Sequence, residues 1–390
     1  MYVLLTTYPA GSSANVGDLL IEESVKALVR EIKGEHDFLT VFREDPLDDL
    51  LDEINRSRAV LMPAFPIRDT PMYPRTYRLT DDLSKIRVPM IPIGANWNAY
   101  PGDMESRRRI TYSDETQRFL HLIAGNVDSL SCREYFTCRM LEKHGIANTL
   151  MTGDPAWYDV GCLGKPMRRN RSIDRVLFSP PLSAFYVEQA VQMLEMLAGL
   201  FPRAERLCAF HLADADRIGQ DFRPDNSAAM RPDVLAKNRR IRAKAAELGF
   251  EVINLSGNYD RLAIYDKCDL HVGYECHAHV YALRKRIPSV LIAEDARGVG
   301  FAYTFGVGGF HGFRRCQSPP WETGRSPYTS GYCVDLSEFS LAPADGSVHE
   351  QIRSFIEEEL DSGFRRYIGV AAFLDDTYHS AMKPFLESLP

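Results

Sequence analysis

The stretch "HVGYECHAHVYALRKR", residues 271–286, places Glu275 and the histidines His271, His277 and His279 where an apolar run passes into a helical pattern. Imidazole titrates near neutrality, and a carboxyl buried at a strand end gains proton affinity, so Glu275 and His277 together offer general acid and base chemistry. Two other readings stand beside this one: a metal site, and a polar corner of the core. An i, i+2 histidine pair needs a third ligand to hold zinc, and none stands at a recognisable spacing nearby. His279, one step further along, reads as structural.

Ligands of open parallel sheets bind beyond the carboxyl ends of the strands, so polar residues directly after apolar runs are the other candidates. In "PAGSSANVGD", Ser12, Ser13 and Asn15 could offer hydroxyls, an amide and free backbone N–H groups to an anion, with Asp18 expected to cap the helix that follows. The plain alternative is a tight turn with a cap, and no G-K-[ST] makes it a P-loop. Arg133 follows a strand in "SCREYFTCRMLEKHGI", where a guanidinium can fork onto a carboxylate or phosphate or simply be a surface charge. Asp154 in "TGDPAW" reads as a turn residue; His211 and Asp214 follow the strand "LCAF", and Arg297 follows "SVLIAED".

These positions are carried by a chain that alternates short β-rich runs with helical patterns. "YVLLTTY", "FLTVF", "AVLMPAF" and "VPMIPIG" read as strands, and "LLIEESVKALVREI" as a helix whose Ile21, Val25, Leu28, Val29 and Ile32 form one apolar stripe. The alternation breaks at "GCLGKPMRRNRSIDR" and restarts at "RVLFSPPL". The expectation is an α/β protein of two doubly wound, Rossmann-like domains facing a central cleft, over residues 1–165 and 172–360, with terminal helices over 361–390 packing back on the first domain. Residues 298–345, rich in glycine, proline and aromatics, read as a long loop near the site.

At 390 residues the chain has room for two full cores, and its net charge of -7 argues against a nucleic-acid partner. No apolar run is long enough to span a membrane, and "MYVLLTTY" lacks a basic leader, so a cytoplasmic protein is expected. The basic "SRRRI" and "MRRNRS" are open to solvent or to an anionic membrane face. The 8 cysteines form no C-x-x-C pair and read as reduced thiols. The oligomeric state is not legible.

The order of these motifs resembles the polysaccharide pyruvyltransferase family across most of the chain. The N-x-G-D loop is Asn15, Gly17 and Asp18; the S-x-R-[DE] step before a helix ending in G-[IV] is Ser131, Arg133 and Glu134 through Gly145 and Ile146; the D-P turn is Asp154 and Pro155. In the second half, "GYECHAHVYAL" aligns with G-x-R-x-H-[AG] from Gly273 through His277 and Ala278, and Arg297 stands where a basic residue follows the next strand. Two departures are plain. Glu275 replaces the arginine before x-H, removing a cation that would hold the donor's phosphate or carboxylate, and "LMPAFPIRDTP" replaces a G-G-G loop.

The resemblance implies a two-domain fold like that of the GT-B glycosyltransferases, with phosphoenolpyruvate in the cleft as donor, a glycan or lipid-linked saccharide as acceptor, and no metal or organic cofactor. A lipid-linked acceptor would bring the protein to the inner face of the membrane. Arg133, Arg297 and the "SSANVGD" loop would hold the donor, His277 would serve as acid or base, and His211 would orient phosphate; Glu275 would either give a proton to the donor's methylene or neutralise a nearby arginine, in which case the donor is a different molecule. Two alternatives use the same cleft: a GT-B-like glycosyltransferase with a nucleotide sugar, and a non-catalytic sugar-binding protein.

Overall fold

Short runs rich in leucine and β-branched residues, separated by amphipathic helices, build two parallel sheets in the computed structural model, which describes residues 1–9, 12, 14–34, 36–68, 72–99, 102–212, 232–314 and 344–390. The first sheet contains β1 (Tyr2–Thr6), β2 (Phe38–Phe42), β3 (Val60–Pro63) and β5 (Met90–Ile93), all parallel in the order β2-β1-β3-β5. A two-residue pair, β4 (Pro66–Ile67) with β6 (Asn96–Trp97), extends it, and a bridge from Ala95 to Cys132 carries it into β7 (Leu130–Cys132) and β8 (Thr149–Met151). The helices of this half are α1 (Val16–Lys33), α2 (Leu51–Arg56), α3 (Met104–Arg109), α4 (Asp114–Gly125) and α5 (Tyr135–Lys143).

The second sheet holds β9 (Arg175–Ser179), β10 (Glu205–Phe210), β11 (Glu251–Asn254), β12 (Leu270–Gly273), β13 (Ser289–Ala293) and β14 (Gly309–His311), in the parallel order β11-β10-β9-β12-β13-β14. Counted within the half this is 3-2-1-4-5-6, the Rossmann order, whose switch point lies between β9 and β12. Its helices are α6 (Val187–Leu200), α7 (Pro232–Glu247), α8 (Cys276–Arg284) and α9 (Ala296–Phe305). The doubly wound α/β reading therefore describes both halves. The expected long loop over 298–345 does not hold throughout. Val299, Phe301 and Phe305 recur on the buried side of α9, and β14 adds a sixth strand; residues 315–343 lie outside the described residues.

Helix α1 buries Leu20, Ile21, Val25, Leu28 and Val29 as its stripe requires, leaving Ile32 partly covered. The apolar cluster it joins runs on through the second sheet into α10 (Val348–Ser362), α11 (Ile368–Thr377) and α12 (Lys383–Glu387). The last residues lie on the first sheet: the Tyr2 hydroxyl donates to the Pro390 carbonyl at 2.5 Å, and Lys33 Nζ to those of Glu387 and Leu389 at 2.6 Å each. Alternation along β1 and β3 sends Val3, Leu5, Val60 and Met62 into a separate cluster with α4 and α5. Among the described residues no helix is long and apolar enough to cross a membrane, and the 6 described cysteines are free.

Candidate functional site

The loop after β1 and the first turn of α1 are where the halves meet. Asn15 caps α1, its side chain accepting from the Gly17 N–H at 2.8 Å. Asp18, expected as the cap, instead stands inside the first turn, because the helix begins at Val16 rather than further on. The main chain here is bonded to the second domain: Val16 N–H donates to the His211 carbonyl at 3.0 Å, Gly257 N–H to Ala14 at 2.9 Å, and the Ser256 hydroxyl to Ala14 at 3.1 Å. Ser12 Oγ is buried without a partner, an open hydroxyl in the expected anion loop; Ser13 lies outside the described residues, as does Asp214.

Gly17 faces His277 directly. A Cβ added at Gly17 would lie 2.0 Å from His277 Nδ1, so only glycine lets the imidazole lie against the α1 backbone. His277 follows Glu275 at the start of α8, is 6% exposed, and its Nε2 is buried with no partner. Burial pushes its pKa well below the ordinary value, assisted by the charges of Arg133 and Arg297 and by His211. The expectation that it titrates near working pH is corrected: the ring is neutral, and its free Nε2 offers a lone pair or an N–H according to tautomer.

His211 stands directly after β10, 1% exposed, with Nε2 and the Tyr265 hydroxyl 2.7 Å apart. Burial lowers its pKa to about 3, and its Nδ1 has no partner. It cannot orient a phosphate as a cation, though with the Tyr265 hydroxyl donating to Nε2 the Nδ1–H is left to donate. His271 and His279 take the polar-core role. His271 lies between Ser179 Oγ at 2.8 Å and Ser289 Oγ at 2.7 Å, and His279 Nδ1 reaches the same Ser289 hydroxyl at 2.7 Å.

The S-x-R-E step proves to be a joint as well as a cation source. Ser131 Oγ accepts from Gly94 N–H at 2.9 Å, and Glu134 caps α5 by accepting from Phe136 and Thr137. Arg133, 1% exposed, pairs through Nη1 with Asp154 Oδ2 at 3.2 Å and lies 4.7 Å from the ring centre of Phe301 in α9. Its Nε and Nη2 are buried without partners. Asp154 is thus more than a turn residue: it caps the turn at Ala156 and holds the arginine. Arg297 lies across α9's first turn, bonded through Nε and Nη2 to Asp295 Oδ2 at 2.9 and 2.5 Å, while its charge bears on Asp18, Glu275 and His277.

Glu275 occupies the N-cap position of α8 without making a cap bond. Its pKa is raised to about 8, first by burial and then by the carboxylate of Glu294, against the pull of Arg297 and Lys237. Glu294 follows β13 and accepts from Leu182 N–H at 3.0 Å and Ser183 N–H at 3.1 Å. On the first-domain side, Arg43 after β2 and Arg68 after β4 act on Asp18, whose pKa burial raises. Sequence reasoning passed over Glu294, Arg43, Arg68 and Lys237. The strand-end rule would have found the first three, each next to an apolar run; Lys237, on a helix crowded with charges, gave no signal. Among the described residues no group of three or more His, Cys, Asp or Glu is placed to hold a metal.

Solved structures with a likeness to this chain are distant. UDP-GlcNAc 2-epimerase from Neisseria meningitidis, bound to UDP-GlcNAc, has 10% identity and a TM-score of 0.48, with 97% of this chain and 98% of that one covered. HepE of Anabaena, in complex with UDP and glucose, has 11% identity and a TM-score of 0.41, covering 97% and 98%. UDP-N-acetylglucosamine 2-epimerase from Rickettsia bellii has 13% identity and a TM-score of 0.41, covering 93% and 96%. No curated protein matches the chain. The match that decides the matter is to the family model for polysaccharide pyruvyl transferase, which spans residues 15–296 and so runs from the Asn15 cap through Glu275, His277 and Glu294; the chain belongs to that family.

Proposed function

We propose that the protein moves the pyruvyl group of phosphoenolpyruvate onto two hydroxyls of a glycan or lipid-linked saccharide, forming a ketal. The observation that carries this reading is the buried, unpartnered Nε2 of His277, set beside Arg133, Arg297 and His211 where the two domains are bonded together. A buried polar atom left unpaired costs about 1–3 kcal/mol, so such a cluster is arranged for a ligand that completes it. The unpartnered Nε and Nη2 of Arg133 and the charge of Arg297 suit a carboxylate and a phosphate.

Glu275, protonated at neutral pH, gives its proton to the C3 methylene of the donor, which becomes the methyl group and leaves positive charge at C2. One acceptor oxygen attacks C2 while its proton passes to His277 Nε2. Donor binding favours that transfer, because its negative charge offsets Arg133 and Arg297, which hold down the proton affinity of the ring. The second oxygen then closes on C2 as the C–O bond to phosphate breaks, and its proton leaves with inorganic phosphate. The proton on His277 returns to Glu275.

Purified protein incubated with phosphoenolpyruvate and candidate saccharides is expected to release phosphate only when a competent acceptor is present. Thermal protection by UDP- or GDP-sugars, with none by phosphoenolpyruvate, would replace this reading with nucleotide-sugar transfer, which the carboxyl at position 275 favours. Glu275→Arg should lower turnover by at least about 100-fold through loss of the acid. If it tightens phosphoenolpyruvate binding and raises turnover instead, the native donor is a different molecule.

The Gly17 contact gives a test that replaces no ionisable group. In Gly17→Ala the new methyl must displace the imidazole. A shift of about 1 Å at a reacting group costs on the order of 100-fold in rate, whereas overpacking of this size costs about 1–3 kcal/mol of stability. Steady-state kinetics beside a circular-dichroism melt should therefore show a large rate loss in a folded protein.

A further inference from the structure

Glu294 has no part in the steps above, yet it is built into the site more firmly than Glu275. Strands β9 and β12 end opposite each other, Ser179 beside Gly273, and the neighbouring β13 passes Gly273 at Leu291 and runs two residues on to Ala293, directly before Glu294. Gly273 approaches Ser179 so closely that a Cβ would lie 2.2 Å from its Oγ, and the Glu275 N–H donates to that hydroxyl at 3.3 Å. Past these ends, residues 181–183 are pinned twice. Glu294 accepts from the N–H groups of Leu182 and Ser183, and Lys237, 5% exposed, donates Nζ–H to the carbonyls of Pro181 and of Leu182, the latter at 3.1 Å.

We propose that Glu294 is a positioning residue for Glu275: a carboxylate fixed by two backbone N–H groups that keeps its neighbour in the proton-bearing form, with Lys237 opposing it and setting the balance. Two adjacent carboxyls resist double ionisation, and the one that accepts backbone N–H bonds ionises first. Burial raises both, with Asp295 acting further on Glu294 and Glu294 on Glu275, while the two N–H bonds and Lys237 draw Glu294 back down. The groups acting on Glu275 are Glu294 beyond β13, Arg297 on α9, Lys237 on α7, Asp18 on α1, the Tyr265 hydroxyl from the 259–267 turn and, on its own helix, the Cys276 thiol. After Glu275 gives up its proton, the fixed negative charge beside it makes the new carboxylate a strong base, ready to recover the proton that His277 took.

The inference rests on the pyruvyl-transfer reading only for what receives the proton, and two measurements separate them. In the pH profile of kcat/KM with phosphoenolpyruvate, activity should fall as pH rises through the titration of Glu275. Glu294→Gln should move that limb down by about one pH unit, and Lys237→Gln, which keeps a donor for the 181 and 182 carbonyls, should move it up. A uniform loss in both variants with the limb unmoved overturns the proposal. Independently of any substrate, carbon-13 NMR of glutamate-labelled protein, with the Glu275 signal identified by its loss in Glu275→Gln, should show a high midpoint that falls in Glu294→Gln. An unchanged midpoint overturns the proposal. A moved midpoint with no phosphate release from phosphoenolpyruvate supports it and overturns the donor alone.

Discussion

Replacing His277 with alanine is expected to lower turnover by about 100- to 10,000-fold, the range that one general acid or base supplies. The thermal midpoint should change by no more than about 3 °C. The ring lies against Gly17, so its loss opens a small gap, but it also removes a buried nitrogen with no partner, and the two costs oppose each other. Kinetics and differential scanning calorimetry on the same preparation decide the outcome. Equal collapse of rate and melting would place the ring in the core beside His271 and His279. Because the ring is already neutral, the wild-type profile should also show no break near pH 6.5, the usual histidine range.

Asp154→Ala should cost about 3–5 kcal/mol, since it leaves the Arg133 guanidinium buried without its counter-charge. Both side chains are almost wholly enclosed, at 2% and 1% exposure, so water cannot repair the loss. Against a total stability of about 5–15 kcal/mol, that cost brings the protein close to unfolding at ambient temperature. The double variant Arg133→Met with Asp154→Leu should recover most of the melting temperature, because apolar residues of similar volume tolerate this environment. It should still bind phosphoenolpyruvate poorly, since the free Nε and Nη2 go with the arginine. Recovery of both would make Arg133 a structural ion only.

The layered architecture was legible because period and length decide it: runs such as "YVLLT" and "RVLFS" are too short for helices, and the α1 stripe repeats cleanly. The segment after residue 298 misled because Gly298, Gly300 and Gly306 read as loop punctuation. In the structure Gly300 is glycine for packing against Glu134 and Gly306 terminates α9 with positive φ. At the site, sequence identified the neighbourhood but not the assignments. "HVGYECHAH" divides in the structure: His271 and His279 share Ser289 as a polar corner of the core, while His277 lies against Gly17 and Glu275 feels Glu294, Arg297 and Lys237. Which histidine ends with an unpaired nitrogen depends on Ser179, 92 residues from His271 in β9, and on Ser289 in β13, beyond any local pattern. Likewise nothing in the sequence tells that Arg133 is held by Asp154, because that pairing follows from β7 and β8 lying side by side.

Two of the bonds that tie the start of α1 to the far half run from Val16 N–H and Gly257 N–H to carbonyls, so they do not depend on which side chain stands at position 275. A lineage can therefore reverse the charge of a residue such as Glu275 without loosening the two lobes from each other.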